Sequence, residues 1–318
     1  MTHLPLDPAV FKDDAIAVDT RMVNDAIVKA MRTIPDRWAL PLPQIRQIRQ
    51  AGKSIFPLPP ESRRSVNDTI PGPRGPIPVR IFMPDGVPQG VYLHFHGGGW
   101  TLGSARETEG LSDRVAANCG LVVVSVDYAL APEDPYPAGV DDCEAAALWL
   151  VREGQARFGS DRFLIGGESA GAHLSTVTLM RLRDRHGLSP FRAANLMAGC
   201  YDLRLSPSAR HWGDLPLVLN TDDITRFVAH FVPAGVAVDH PDVSPLLGDL
   251  RGLPPALFSV GTRDALLDDT LFMAQAWTRA GSPAELQVYP GGCHVFVAFP
   301  GSLSDAALAR CDAFLRAA

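Results

Sequence analysis

The chain has 318 residues, 46% hydrophobic and 20% charged, enough for a large core that needs neither disulfides nor metal. Its 29 Lys and Arg against 35 Asp and Glu give a formal charge of −6, and no run of five basic residues occurs, which argues against a nucleic-acid surface. No apolar run reaches the roughly 18 residues of a membrane helix. Asp7, Asp13 and Asp14 oppose a signal-peptide reading. The five cysteines (Cys119, Cys143, Cys200, Cys293 and Cys311) are odd in number and form no CxxC. That usage fits free thiols in a reducing compartment, so a cytoplasmic protein is expected.

Residues 1 to about 57 read as helical. Val23, Ile27, Ala30, Met31 and Ile34 recur at helical spacing, and Ile45 and Ile48 suggest a second short helix. Pro57, Pro59 and Pro60 end the pattern. Two readings stand for this segment: an arm packed on the core, or part of a lid. From about residue 66 strands and helices alternate. Strands are expected at 77–83, 91–95, 121–126, 163–167, 194–200, 256–260 and 286–289. Helices are expected at 138–151, 169–185, 266–280 and 303–315. The alternation implies an α/β protein with a parallel sheet covered by helices on both faces. Residues 203–244 form a long insertion, in which Ile224, Phe227, Val228 and Phe231 make an amphipathic stretch started by Thr221, Asp222 and Asp223. Long connections of this kind are often lids.

The strongest local signal is Gly167-Glu168-Ser169-Ala170-Gly171, a G-x-S-x-G pentapeptide where a strand gives way to a helix. A serine on that tight turn is exposed as a nucleophile, and small residues two before and two after are required. A second signal is His96-Gly97-Gly98-Gly99-Trp100, just after a strand. Three glycines let backbone N–H groups approach a ligand. Gly98 and Gly99, with the N–H of Ala170, are the expected oxyanion donors. A phosphate cradle would want a lysine at the loop's end, and none is there.

A nucleophilic serine needs a base and an orienting carboxylate, in the chain order Ser, Asp or Glu, His. His294 follows the last strand within Pro290-Gly291-Gly292-Cys293-His294 and is the expected base. His173 lies one turn into the helix after Ser169, where packing is the expectation. His211, His230 and His240 lie in the insertion. Asp264 follows the strand at 256–260 and is the expected acid, with Asp268 its competitor. Asp268 and Asp269 fit helix-start and solvated-face roles.

Together these residues resemble the bacterial hormone-sensitive-lipase-like (family IV) carboxylesterases of the α/β-hydrolase superfamily. The resemblance runs through Ile70-Pro71-Gly72-Pro73 to Met83, HGGGW at 96–100, Val126-Asp127-Tyr128-Ala129-Leu130-Ala131-Pro132-Glu133, GESAG at 167–171, Val243-Ser244-Pro245-Leu246, Asp264 and His294-Val295-Phe296. It covers about residues 66–318. It implies an α/β-hydrolase fold, a mostly parallel central sheet flanked by helices, with a helical cap. Residues 1–57 are then an N-terminal cap segment, and 58–318 a catalytic domain with a cap insertion at about 203–244. The implied activity is hydrolysis of short to medium acyl esters, with no cofactor and no metal. The implied partner is a small-molecule ester, and a homodimer through the sheet edge is suggested. Trp38, Trp100, Trp212 and Phe296 are the expected pocket walls. Glu168 and Ala129 depart from the family's common Asp and Arg. Two alternatives remain: an arylformamidase or amidase on the same scaffold, and a non-catalytic small-molecule receptor.

Overall fold

A computed structural model describes residues 6–34 and 36–318; residues 1–5 and 35 of the N-terminal segment lie outside the described residues. Eight strands form one sheet: β1 (Ser65–Ile70), β2 (Ile77–Phe82), β3 (Val91–Phe95), β4 (Val122–Val126), β5 (Phe163–Glu168), β6 (Phe191–Met197), β7 (Ala256–Arg263) and β8 (Ala284–Cys293). Their order is β1-β2-β4-β3-β5-β6-β7-β8. Strand β2 runs antiparallel to both neighbours, and all pairs from β4 to β8 are parallel. The parallel centre explains the unbroken Val-rich run of β4, every residue of which is buried because helices cover both faces. Alternate side chains serve different layers. Val122, Val124 and Val126 join Leu93 and Ile165 on one face, and Val123 joins Tyr92 and Leu164 on the other.

The helices are α1 (Val18–Thr33), α2 (Leu42–Gln50), α3 (Glu109–Cys119), α4 (Ala138–Phe158), α5 (Ala170–His186), α6 (Pro207–His211), α7 (Thr221–Phe231), α8 (Leu267–Arg279) and α9 (Ser302–Ala317). Helices α3 and α9 pack on one face of the sheet, and α4, α5 and α8 on the other. Helix α1 packs on β8 and α9, where Asn24 Nδ2 donates to Gly291 O at 2.8 Å. Helix α2 is tied elsewhere. Its Arg46 donates to Thr101 O and Ala131 O, both at 2.9 Å, and pairs with both carboxylate oxygens of Glu133. Helix α7 begins one residue beyond its cap, Asn220, which accepts from Asp223 N–H at 2.8 Å while Asp223 reciprocates.

Several elements differ from the sequence reading. Strand β6 is Phe191–Met197, not 194–200. The chain leaves the sheet at Ala198, whose φ is 48°, and exposed Arg192 disguises the start. Strand β8 continues through the expected glycine loop to Cys293, after a register shift beside Gly261 and Arg263. Strand β1 was not expected, because exposed Asn67 and half-buried Asp68 break the apolar run at the sheet edge. Helix α3 was also missed. Its inward residues include polar Glu109 and Ser112, so no apolar stripe marks it. Arg80 lies 2.9 Å from the Glu109 carboxylate and offsets the cost of burying it.

Candidate active site

Ser169 stands between β5 and α5 with φ 57° and ψ −120°, a strained backbone for a residue with a Cβ. The turn holds because its neighbours are small. A Cβ at Gly167 or Gly171 would run into the Phe95 carbonyl. Ser169 N–H donates to Met197 O at 2.8 Å, which fastens the turn to β6. The hydroxyl therefore stands at the carboxyl end of the parallel strands, where such sheets gather their functional groups.

The ends of β7 and β8 bring two further groups to it. His294 Nε2 lies 2.9 Å from Ser169 Oγ. Its Nδ1 lies 3.0 Å from both Oδ1 and Oδ2 of Asp264. Asp264 Oδ1 also accepts Leu266 N–H at 2.8 Å, which fixes the carboxylate's orientation. Asp264 is 1% exposed, His294 5% and Ser169 9%. All three are thus withheld from bulk water, where their hydrogen bonds would be weaker.

Asp268 and Asp269 do other work, and neither sits on a solvated face. Asp268 accepts Ser208 N–H at 2.8 Å, at the start of α6. Asp269 is fully buried and accepts the N–H groups of Tyr201 and Asp202 at 2.6 and 2.9 Å. They hold the first turns of the insertion to α8. Burial pushes the Asp269 carboxyl up to about 6, against two backbone hydrogen bonds that pull it down. A carboxyl raised from 3.8 binds its proton more tightly folded than unfolded, so stability is lost as pH rises from about 4 to 6. Asp269→Asn removes that loss. Its stability relative to wild type is expected to rise by about 2 kcal/mol between pH 4 and pH 6. Urea unfolding at the two pH values measures this; a constant difference would show an ordinary carboxylate.

The glycine loop sits opposite the serine. Gly98 has φ 122°, and a Cβ there would strike the backbone of Leu102. Gly98 O accepts from Thr101 and Leu102 N–H at 3.2 and 2.8 Å. Among the described residues no acceptor takes the N–H groups of Gly98, Gly99 or Ala170. All three residues line a cavity of about 530 Å³, as do Ser169 and His294.

That cavity is walled mainly by apolar side chains, among them Leu58, Leu111, Leu219, Ile224 and Phe227. Of the four expected wall residues only Trp100 lines it. Trp38 stands behind Phe227, with ring centroids 5.1 Å apart, and donates to Asp223 Oδ1 at 2.7 Å. Trp212 donates to Leu215 O at 3.1 Å within the insertion. Phe296 turns inward onto Tyr289, 5.2 Å away. The walls that the sequence reading missed are Phe56–Pro60 and Phe227. The proline cluster was visible, but nothing local said that it faces a cavity. Phe227 was visible only as one residue of an amphipathic stretch.

His173 packs beneath the elbow. It accepts from Trp100 Nε1 at 3.2 Å and donates to Val243 O at 3.0 Å, and burial lowers it to about 4. A neutral imidazole with both nitrogens occupied is a structural pin. All five cysteines are buried free thiols, and burial pushes Cys293 up to about 12. A thiol so raised is a poor nucleophile.

A serine poised on an imidazole, an imidazole on a carboxylate and a cavity with unpaired amides define a serine hydrolase class of site. Comparison with known proteins gives the family. A profile of the alpha/beta hydrolase fold matches residues 92–298. Carboxylesterase NlhH of Mycobacterium tuberculosis is 39% identical over 234 residues, 70% of this chain and 72% of that protein. Esterase LipI of the same organism is 32% identical over 301 residues, 91% of this chain and 92% of the relative. Among solved structures, a hormone-sensitive lipase from a metagenome library superposes with a TM-score of 0.83 at 29% identity, covering 94% of this chain and 98% of the other. An esterase of Pyrobaculum calidifontis gives 0.85 at 29% identity, covering 93% and 97%. The chain belongs to the α/β-hydrolase fold family, as a bacterial family IV carboxylesterase. Among the described residues no helix is long and apolar enough to cross a membrane.

Proposed function

We propose that this carboxylic ester hydrolase cleaves short to medium acyl esters through an acyl-enzyme on Ser169. The observation that carries the reading is the continuous relay from Ser169 Oγ through His294 to Asp264, at 2.9 and 3.0 Å, opening on three unpaired amides. His294 Nε2 takes the serine proton as Oγ attacks the ester carbonyl. The carbonyl oxygen becomes an oxyanion, held by the N–H groups of Gly98, Gly99 and Ala170. Asp264 keeps the proton on Nδ1 and stabilises the imidazolium. The imidazolium then protonates the departing alcohol. Water, deprotonated by His294, attacks the acyl-enzyme, and Ser169 regains its proton.

The apolar walls suit an aliphatic acyl chain. The three arginines at the cavity are each paired: Arg49 with Glu107 at 2.6 Å, Arg114 with Asp312 at 2.8 Å and Arg37 with Asp223 at 3.7 Å. These pairs leave no free cation at the cavity wall to attract an anionic substrate. The test is turnover of p-nitrophenyl esters from acetate to dodecanoate beside N-formylkynurenine, with fluorophosphonate labelling. Turnover is expected to peak among short to medium chains and to exceed that of the formamide, with a label on Ser169. Faster formamide turnover would make the protein an arylformamidase, and a folded protein that takes no label would make it a receptor.

A further inference from the structure

Glu168, immediately before the nucleophile, has no step in the chemistry above. Yet it is only 6% exposed and sits against the reacting centre. Its Oε1 accepts Gly97 N–H at 2.8 Å. Its Oε2 lies 3.0 Å from His94 Nε2, and His94 Nδ1 lies 2.9 Å from Ser125 Oγ. His94 is on β3 and Ser125 on β4, both buried. No arginine or lysine pairs with this carboxylate among the described residues. Burying a carboxylate between two donors is expensive compared with an apolar side chain of the same size. Packing alone therefore does not account for it.

Its geometry does. The carbonyls of His96, Gly97 and Gly98 and the N–H of Gly97 are each taken. Tyr128 Oη donates to His96 O at 2.7 Å. His96 Nδ1 donates to Gly97 O at 2.8 Å. Glu168 takes the N–H of Gly97, and the N–H groups of Thr101 and Leu102 take the carbonyl of Gly98. Among the described residues no acceptor takes the N–H groups of Gly98, Gly99 and Trp100, and all three residues line the cavity. Gly97 has no Cβ to limit its rotation, so its orientation depends on these bonds. The space for Glu168 confirms how close the two segments lie: a Cβ on Gly97 would come within 3.3 Å of both Glu168 Cγ and Ser169 Cβ.

We propose that Glu168 is a positioning residue that couples the two halves of the oxyanion hole. Its main chain carries the elbow, and so the N–H of Ala170. Its side chain carries the loop, and so the N–H groups of Gly98 and Gly99. The β3–β4 core, through His94 and Ser125, holds the carboxylate itself in place. This inference rests on the assignment of Ser169 and the three amides made above.

The test compares wild type, Glu168→Ala, Glu168→Gln and Ser169→Ala. It measures kcat, KM, melting temperature and affinity for an aryl trifluoromethyl ketone, which forms a tetrahedral oxyanion with a reactive serine. A loop displaced by about 1 Å costs roughly 10²-fold in turnover. Glu168→Ala is therefore expected to lower kcat by about 10²-fold, with KM within about threefold and ketone affinity falling in parallel. Glu168→Gln keeps an oxygen for Gly97 N–H. Its amide can donate to His94 Nε2 once the His94 proton moves to Nδ1 and toward Ser125. It is expected to restore kcat to within about tenfold of wild type.

A folded Glu168→Ala with kcat within about threefold of wild type overturns the proposal. So does a kcat loss that leaves ketone affinity unchanged. If Glu168→Ala does not fold, Glu168→Gln decides. Near-wild-type turnover supports the strut, and a loss of about 10²-fold at an unchanged melting temperature overturns it. Wild type without esterase activity, or Ser169→Ala with full activity, instead brings down the reading of Ser169 itself.

Discussion

Ser169→Ala is expected to lower kcat by on the order of 10⁶-fold while leaving the protein folded. The size follows from the relay. With Oγ absent, His294 has no proton to take and no acyl-enzyme forms. The oxyanion amides and the cavity remain, so a residue of rate above water persists and substrate affinity changes little. The fold survives because the elbow does not depend on the hydroxyl. Ser169 N–H still reaches Met197 O, and Gly167 and Gly171 still fit against Phe95. The backbone strain also survives, because alanine at φ 57° meets the same Cβ crowding as serine. Ser169→Gly would relieve it, and is expected to be more stable than Ser169→Ala by about 1 kcal/mol. Ester turnover, fluorophosphonate labelling and thermal melts of the three proteins measure this. Esterase activity surviving in Ser169→Ala would place the nucleophile elsewhere.

The sheet was legible wherever burial is complete. A strand covered by helices on both faces is mostly apolar, so β3, β4 and β5 stand out as runs whose only polar side chains are His94, Ser125 and Glu168. Edges and half-polar faces were not legible. Strand β1 spends Asn67 on Arg80 and Asp68 on Arg157, and α3 turns Glu109 inward to meet Arg80. Both exchange the apolar signal for polar groups whose partners lie far along the chain. The site divides in the same way. The chain order of Ser169, Asp264 and His294 was readable because each closes a strand. The structure sets the three in hydrogen-bond contact across separations of 125 and 30 residues. The cavity walls were not readable, because Phe56–Pro60 and Phe227 reach it from two distant segments. Nothing in a local pattern says which face of such a segment meets the serine.

Helices α2 and α7 also touch the glycine loop. The ring of Phe227 lies against Gly99 so closely that a Cβ there would overlap it. Arg46 holds the carbonyl of Thr101, whose N–H is bound to Gly98. The loop is thus held at Gly97 by Glu168, at Thr101 by α2 and at Gly99 by α7. Preorganised donors gain their effect from such fixity, since they need no reorganisation when the charge develops.

Asp264→Asn is expected to lower kcat by about 10⁴-fold with little change in stability. The argument lies in the two equal distances. Both carboxylate oxygens are 3.0 Å from His294 Nδ1, and Oδ1 also takes Leu266 N–H. Whichever way the asparagine amide is turned, an NH₂ group comes within reach of Nδ1. Two N–H groups cannot face each other there, so Nδ1 gives up its proton and accepts instead. The proton then resides on Nε2, which faces Ser169 Oγ at 2.9 Å. An imidazole that already carries a proton on Nε2 cannot take one from the serine. The side chain stays the same size in a site 1% exposed, so packing is kept. Steady-state ester hydrolysis gives the loss in kcat, KM shows whether binding is intact, and a thermal melt reports the fold. If kcat instead stayed within about tenfold of wild type, Asp264 would not be what holds the proton on Nδ1.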